Sequence, residues 1–188
     1  MLIGITGLKR SGKDTAADHL IGQLGFQRTR FADPLKLMLI QLFYTAGLSM
    51  EETLRRIEGD LKETPDDILC GVTPRHAMQT LGTEWRDKIH RELWTTIWLR
   101  KVGPLLDAGK DVVVTDCRFH HEAAAIRSLG GHIVQIHRPN LPYTIADWHI
   151  SEQEMMGIVP DITVLNNGTI EDLHINIEGA YIDLCKGN

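Results

Sequence analysis

The chain opens with MLIGITGLKRSGKDT, and this stretch, Met1–Thr15, decides the fold. Residues 1–6 are apolar and partly β-branched, which predicts a short buried parallel strand that runs directly into a loop. Residues 7–13, GLKRSGK, match the spacing of a phosphate-binding P-loop. Beyond them, apolar residues recur at helical spacing as far as Leu24, and Gly25 provides a stop. A strand, a glycine-rich loop and a helix in this order are the context that a P-loop requires.

The residue types in this loop fit the chemistry of phosphate binding. Gly7 and Gly12 let backbone N–H groups curl around phosphate oxygens without obstruction from side chains. Lys13 reaches the outer phosphates, and the positive end of the helix that begins there points at them. The position after the lysine, usually Ser or Thr, is Asp14, a hard-oxygen partner for Mg²⁺ either directly or through a water. Thr15 could then supply a hydroxyl to an inner phosphate.

Four further strands and three further helical regions are predicted along the chain. The strands are expected at Phe26–Phe31, Asp111–Thr115, His132–His137 and Asp161–Leu165, and the helical regions at residues 33–108, 119–129 and 171–185. Asp33, Thr73 and Thr169 are expected as N-caps, and Ser49 with Glu52 fits a capping box. This alternation predicts an α/β fold, a three-layer α/β/α sandwich with a five-stranded parallel sheet. Ligands of such sheets bind at the carboxyl edge of the strands.

Composition limits the class of protein. The chain has 188 residues with 43% hydrophobic and 24% charged content, as expected for one globular domain. A net charge of −5 argues against a partner that presents many nucleic-acid phosphates. The three scattered cysteines form no metal or CxxC spacing, and no apolar run approaches the roughly 20 residues that span a bilayer. We therefore expect a cytoplasmic protein with small-molecule partners and no membrane or nucleic-acid partner. The oligomeric state stays open, with a homodimer as one arrangement.

A second cluster of charged residues follows the predicted strand at 111–115. Asp116 stands at the carboxyl end of that strand, Arg118 lies two residues on, and Glu122 falls in the first turn of the next predicted helix. A cation between two carboxylates in a cleft can recognise a phosphate with Arg118 and a base or sugar with the acids. Two plainer interpretations stay open: Asp116 could hold Mg²⁺, and the three could form a surface ion-pair cluster.

With these residues in view, the chain resembles the phage-type deoxynucleoside monophosphate kinases of the P-loop nucleotide-kinase superfamily. The resemblance covers nearly the whole chain in order. It rests on GLKRSGKDT at residues 7–15, Arg75 with QTLGTE at 79–84, Asp116-Cys117-Arg118 with Glu122, HISE at 149–152, and NNGT at 166–169. The GKDT ending is typical of that family, so the departure at Asp14 supports the resemblance.

The resemblance implies a fold, a site and a reaction. The whole chain, 1–188, would be one P-loop nucleoside monophosphate kinase-like domain with a helical monophosphate-binding insert at about 33–108 and a short lid at about 138–157. The donor side would hold ATP and Mg²⁺ with Lys9, Arg10, Gly12, Lys13, Asp14 and Thr15. The adenine would lie at residues 166–169, including Asn167 and Gly168. The acceptor pocket would be lined by Lys36, Arg75, Gly82, Thr83, Trp94, Asp116, Arg118 and Glu122. Lys13, Asp116 and Arg118 would be catalytic.

The predicted activity is transfer of a phosphoryl group from Mg·ATP to a deoxynucleoside monophosphate, in the host cytoplasm if a phage encodes the protein. Two alternatives remain at this point: a P-loop kinase for another small phosphorylated metabolite, and a nucleotide-binding module without catalysis. A switch GTPase would need an Asn-Lys-x-Asp motif, which the sequence lacks. The region 138–157 contains one arginine, Arg138, fewer than nucleotide-kinase lids commonly carry.

Overall fold

The computed structural model describes residues 1–139, 141 and 154–187, and its centre is a five-stranded parallel sheet. The strands are β1 Leu2–Thr6, β2 Gln27–Thr29, β3 Val112–Val114, β4 His132–His137 and β5 Ile162–Leu165. Their order across the sheet is β2-β3-β1-β4-β5, so β1 lies in the middle. Every pairing is parallel, which brings the loops after all five strands to one edge. The predicted sheet is confirmed.

Seven α-helices of eight residues or more surround or follow these strands in the described part of the chain. They are α1 Lys13–Leu24, α2 Asp33–Thr45, α3 Met50–Ile57, α4 Pro74–Lys88, α5 Leu93–Asp107, α6 His120–Ser128 and α7 Ile170–Lys186, with a 3₁₀ turn at Asp60–Glu63. The side chains of Ser49, Thr73 and Thr169 each accept a backbone N–H at a helix start, so these three predicted N-caps are confirmed.

Three local expectations differ from the structure. Asp33 is not an N-cap: α2 begins at Asp33 itself, and the capping position is Ala32, because Pro34 fits the first turn of a helix already under way. The second strand pairs only over Gln27–Thr29, since its partner β3 spans only three residues. The region 33–108 is interrupted at 64–73, where Asp66 and Val72 form an isolated antiparallel bridge.

Side chains alternate across β1 and explain why helices cover both faces of the sheet. Ile3 and Ile5 are fully buried in a cluster with residues of α1 and α7, among them Leu20 and Ile177. Gly4, between them, faces Ile126 of α6 on the opposite side. Because successive strand residues point to opposite faces, this register places α1 and α7 on one face and α6 on the other.

The chain divides into two compact units. The first comprises Met1–Phe31 and Leu99–Asn188 and contains the sheet. The second, Ala32–Trp98, has its own apolar core around Leu39, Phe43 and Trp94. The insert expected at about 33–108 overlaps this second unit, and its function as a monophosphate-binding insert stays a prediction. No helix in the described residues is both long and apolar enough to cross a membrane.

Candidate active site

The loop between β1 and α1 has the backbone shape of a phosphate cradle. Gly7 and Gly12 have φ angles of 142° and 101°, in the region that favours glycine. A Cβ at Gly7 would lie 2.5 Å from the carbonyl oxygen of Ile136, so only glycine fits there. Arg10 also has a positive φ, 66°, which turns the loop between the two glycines. Gly12 occupies the N-cap position of α1. Because glycine has no side chain to accept a hydrogen bond, it does not cap the first N–H groups of the helix.

Ser11 lies at the bottom of this cradle. It is 1% exposed, and within the described residues its hydroxyl has no hydrogen-bond partner. It lines a cleft of about 190 Å³ together with Gly7, Leu8 and residues at the end of β4. A buried hydroxyl of this kind is a ready donor to a ligand oxygen. The amide of Asn166, after β5, donates to the carbonyl oxygen of Ser11 at 2.8 Å.

The charged residues of the loop occupy different positions. Lys13 Nζ donates to the carbonyl oxygen of Leu8 at 2.7 Å, which places the ammonium group over the loop. Lys9 and Arg10 are exposed, as is Asp14 in the first turn of α1, whereas Thr15 is half-buried. The cradle and its cations therefore fit a polyphosphate. In the described residues no three His, Cys, Asp or Glu side chains form a metal cage, so Mg²⁺ would take most of its ligands from phosphates and water.

Asp116 lies where β2 and β3 end side by side. Its Oδ1 accepts the backbone N–H of Phe31 at 2.9 Å, and Arg30 Nε donates to the hydroxyl of Thr115 at 3.2 Å. The parallel pairing of β2 with β3 makes this edge contact possible. Arg30 belongs to no motif, and the signal that marks it in the sequence is its position at the end of a predicted strand, on the edge where ligands bind.

Glu122 closes the turn that carries Arg118. Its Oε2 accepts the backbone N–H groups of Arg118 and Phe119 at 2.7 and 3.0 Å, and the residue is 7% exposed. Burial, and then the charge of Asp116, raise the pKa of Glu122 to about 8, although both N–H groups and the Arg118 charge act in the opposite direction. One carboxyl oxygen of Glu122 therefore accepts hydrogen bonds from the backbone. Contact of Glu122 with a base or sugar stays a prediction.

In the second unit, Lys36 and Arg75 belong to a cluster of three cations. Lys36 Nζ pairs with Glu58 at 2.6 Å, and Arg75 pairs with Glu63. Lys62, in the 3₁₀ turn, completes the cluster: burial, and then the charges of Lys36 and Arg75, lower the pKa of its ammonium group. Sequence reasoning missed Lys62, because a lone lysine between helices has no periodicity or motif to mark it.

The remaining predicted acceptor residues in this unit lie on α4 and α5. Trp94 is 8% exposed, and its indole N–H donates to the carbonyl oxygen of Gly82 at 2.9 Å. Its ring stacks on Trp85, which is 39% exposed, with 6.1 Å between ring centroids. Thr83 is exposed next to Gly82. Trp94 is therefore part of the core of this unit, and Trp85 offers the more accessible ring.

The loop after β5 leads into α7 and contains the N-cap of that helix. Thr169 and Asp172 form a capping box, and Gly168 packs so closely on the Asp172 carboxylate that a Cβ would collide with it. Asn167 is exposed beside them. The HISE segment at 149–152, and residues 140 and 142–153 of the expected lid, lie outside the described residues.

Comparison with known proteins identifies a family that matches most of the chain. The family profile described as deoxynucleotide monophosphate kinase matches residues 1–64 and 56–177. A protein of Acanthamoeba polyphaga mimivirus, provisionally given the same description, is 38% identical over 189 residues, which cover 94% of each chain. The deoxynucleotide monophosphate kinase of Escherichia phage RB69 is 25% identical, with 94% of this chain and 98% of its own covered. The enzyme of Enterobacteria phage T4 is 23% identical, with 95% and 98% covered.

Two solved structures show where the fold recurs. Dephospho-CoA kinase from Campylobacter jejuni aligns with a TM-score of 0.52 at 15% identity, over 97% of this chain and 96% of its own. Shikimate kinase from Aquifex aeolicus aligns with a TM-score of 0.51 at 15% identity, over the full length of both chains. At this identity the likeness concerns the fold alone, and both are kinases of the P-loop type.

Proposed function

This chain belongs to the deoxynucleotide monophosphate kinase family, and we propose that it transfers the γ-phosphoryl group of ATP to a deoxynucleoside monophosphate, giving ADP and a deoxynucleoside diphosphate. The enzyme is a phosphotransferase. The observation that carries the proposal is the cradle between β1 and α1, whose glycines, buried Ser11 hydroxyl and Lys13 fit a polyphosphate in a chain that matches the family over most of its length.

On the donor side, backbone N–H groups at the start of α1 bind the β- and γ-phosphates, and Lys13 neutralises their charge. Lys9 and Arg10 add positive charge at the exposed rim. Asp14 would hold Mg²⁺, directly or through a water, and Thr15 would supply a hydroxyl to an inner phosphate. The metal, when bound, would offset the charge on the phosphates. The adenine lies against the loop that contains Asn167 and Gly168.

On the acceptor side, Arg118 binds the monophosphate because a guanidinium group makes paired hydrogen bonds to phosphate oxygens. Asp116 stands beside it at the end of β3. Glu122 holds the turn that presents Arg118. Within the second unit, taken by itself, the cations Lys36, Lys62 and Arg75 supply positive charge for an anionic ligand, and Gly82, Thr83 and Trp94 stay predicted acceptor residues.

The chemistry asked of these side chains is alignment and charge neutralisation. The acceptor phosphate oxygen attacks the γ-phosphorus as the bond to the β-γ bridging oxygen breaks, and ADP leaves with that oxygen. Little covalent work falls to the protein, since the transferred group passes through a loose transition state. Preorganised cations and N–H groups stabilise the charge that develops on it.

A coupled assay of ADP release across the eight common ribo- and deoxyribonucleoside monophosphates tests the proposal. We expect turnover with at least one deoxynucleoside monophosphate well above the rate of ATP hydrolysis without acceptor. No turnover with any of the eight, together with turnover when a phosphorylated metabolite of another class is the acceptor in the same assay, would favour a different P-loop kinase. ATP binding without turnover on any acceptor would favour a nucleotide-binding module.

A further inference from the structure

We propose that Asn166 is a positioning residue that holds the P-loop in its phosphate-binding conformation, an assignment that rests on the proposed function. Asn166 belongs to the segment that resemblance places near adenine, but its amide is directed elsewhere. Asn166 Nδ2 donates to the carbonyl oxygen of Ser11 at 2.8 Å, across 155 residues of sequence. Its own backbone N–H donates to the carbonyl oxygen of His137, which fixes it at the end of β4.

The direction of the Ser11 carbonyl decides what the loop can bind. A phosphate cradle needs successive N–H groups that point inward, so the carbonyl groups between them must point outward. Ser11 is 1% exposed, so water cannot readily take the place of a missing donor. A buried carbonyl without a donor loses its hydrogen bond to water and gains none in return, which destabilises that conformation. The Asn166 amide supplies that donor and keeps the carbonyl oxygen turned away from the cradle.

Gly12 explains why the Ser11 carbonyl needs the Asn166 amide and why the amide can approach it closely. Its φ of 101° lies in the region that favours glycine, and a residue without a Cβ imposes little steric restraint on the Ser11–Gly12 peptide. A Cβ at Gly12 would lie 2.5 Å from Asn166 Nδ2, so the amide lies directly against the glycine. Without the amide, rotation of this peptide would bring a carbonyl oxygen, instead of an N–H, toward the phosphates.

The test uses two variants of similar side-chain size, and both remove the amide N–H donor. Asn166→Asp adds a negative charge, and Asn166→Leu does not. The control is Asn176→Asp on α7, where the same kind of amide donates to the carbonyl oxygen of Leu165 at 3.1 Å on the exposed surface. The measurements are the Kd for ADP by titration calorimetry, the separate KM values for ATP and for the deoxynucleoside monophosphate, and thermal unfolding.

Both Asn166 variants should raise the Kd for ADP and the KM for ATP at least tenfold, while the KM for the acceptor changes less than twofold and the control behaves like the wild type. Three results would overturn the assignment: unchanged ADP binding in Asn166→Leu, an equal rise in both KM values, or the same loss in Asn176→Asp. If one variant does not fold, the other decides. Because the Kd for ADP needs no turnover, absence of kinase activity in the wild type would defeat the proposed function and leave this test standing.

Discussion

Among individual residues, we expect the donor side to depend most on Lys13. Its ammonium group lies over the loop within 2.7 Å of the Leu8 carbonyl oxygen, at the start of α1. Lys13→Met keeps the length of the side chain and removes the charge, so kcat should fall about a hundredfold or more, the scale of one lost preorganised contact. The ADP-release assay measures this. Lys110→Met, at an exposed site remote from the loop in sequence, is the matched control, and near-wild-type turnover of Lys13→Met would remove the central assignment.

Arg118 carries the corresponding prediction for the acceptor. It follows β3 on the turn that Glu122 closes, at the same edge of the sheet as the P-loop. Arg118→Ala should lower kcat/KM for the monophosphate by about a hundredfold, because a phosphate loses its paired hydrogen bonds, and should leave the Kd for ATP within a few-fold. Arg127→Ala, which removes a guanidinium bonded to the Val159 carbonyl on the surface, is the control. Lost ATP affinity with the acceptor KM retained would instead place Arg118 on the donor side.

Spacing along the sequence points to residues that belong to local patterns, and it gives no signal for residues whose partners are distant in the chain. Lys13 and Arg118 stand next to a glycine loop and a strand end, so their neighbours along the chain indicate a phosphate site. Lys62 forms part of a cationic cluster only because folding of the second unit brings it close to Lys36 and Arg75. The bond from Asn166 to Ser11 likewise joins two loops 155 residues apart, which no local pattern can predict.

Helix α1 adds an effect that belongs to the element and not to one side chain. Asp14 is exposed in its first turn, where an acid stabilises the positive helix end whether or not a metal is bound. If Asp14 also faces Mg²⁺, Asp14→Asn should slow turnover and shift the Mg²⁺ titration of kcat, with metal-free ATP binding improved.

The control for Asp14 is Asp18→Asn, one turn further along α1, where the carboxylate pairs with Arg28. It removes a charge from the same helix at a position away from the loop. Thermal unfolding of both variants reports the helix-end effect alone. A slightly lower melting temperature of Asp14→Asn with an unshifted Mg²⁺ titration would leave Asp14 with only that effect.

The 3₁₀ turn Asp60–Glu63 supplies a prediction for the second unit. Lys62 lies close to Lys36 and Arg75, which are paired with Glu58 and Glu63, so the three cations exceed the two carboxylates by one positive charge. An anionic acceptor would interact with that excess charge, so Lys62→Met should raise the KM for the monophosphate about tenfold while the KM for ATP stays within twofold. Lys88→Met, an exposed lysine at the end of α4, is the control. Equal KM values in Lys62→Met and the wild type would exclude the residue from the acceptor site.

The presence of helices and strands was more predictable from the sequence than the residues at which they begin and end. The strand at His132–His137 and the start of α1 at Lys13 match the sequence prediction, because apolar runs and glycine stops are local signals. The capping box at Ser49 and Glu52 is equally local. The start of α2 was misplaced because Asp33 is favourable both as an N-cap and as a first-turn acid, and only the tertiary context separates the two.

For the molecule as a whole, Glu122 links protonation to the free energy of unfolding. Its pKa is about 8 in the folded protein, chiefly because it is buried, against roughly 4.3 for a glutamate in an unfolded chain. Between these two values the folded state binds a proton that the unfolded state has released. The free energy of unfolding therefore decreases as the pH rises through this window, by up to about 1.4 kcal/mol per pH unit.

Glu122→Gln isolates this contribution. The amide oxygen can accept the N–H groups of Arg118 and Phe119 as Oε2 does, and the amide resembles the neutral acid in size and charge. Urea unfolding of both proteins at several values between pH 5.5 and 8 gives the difference in free energy of unfolding, in which titrating groups that do not interact with Glu122 cancel. The variant should gain stability relative to the wild type at each step upward in pH. Parallel curves over this range would show that the Glu122 carboxyl does not hold its proton in the folded protein, and that its charged form closes the turn at neutral pH.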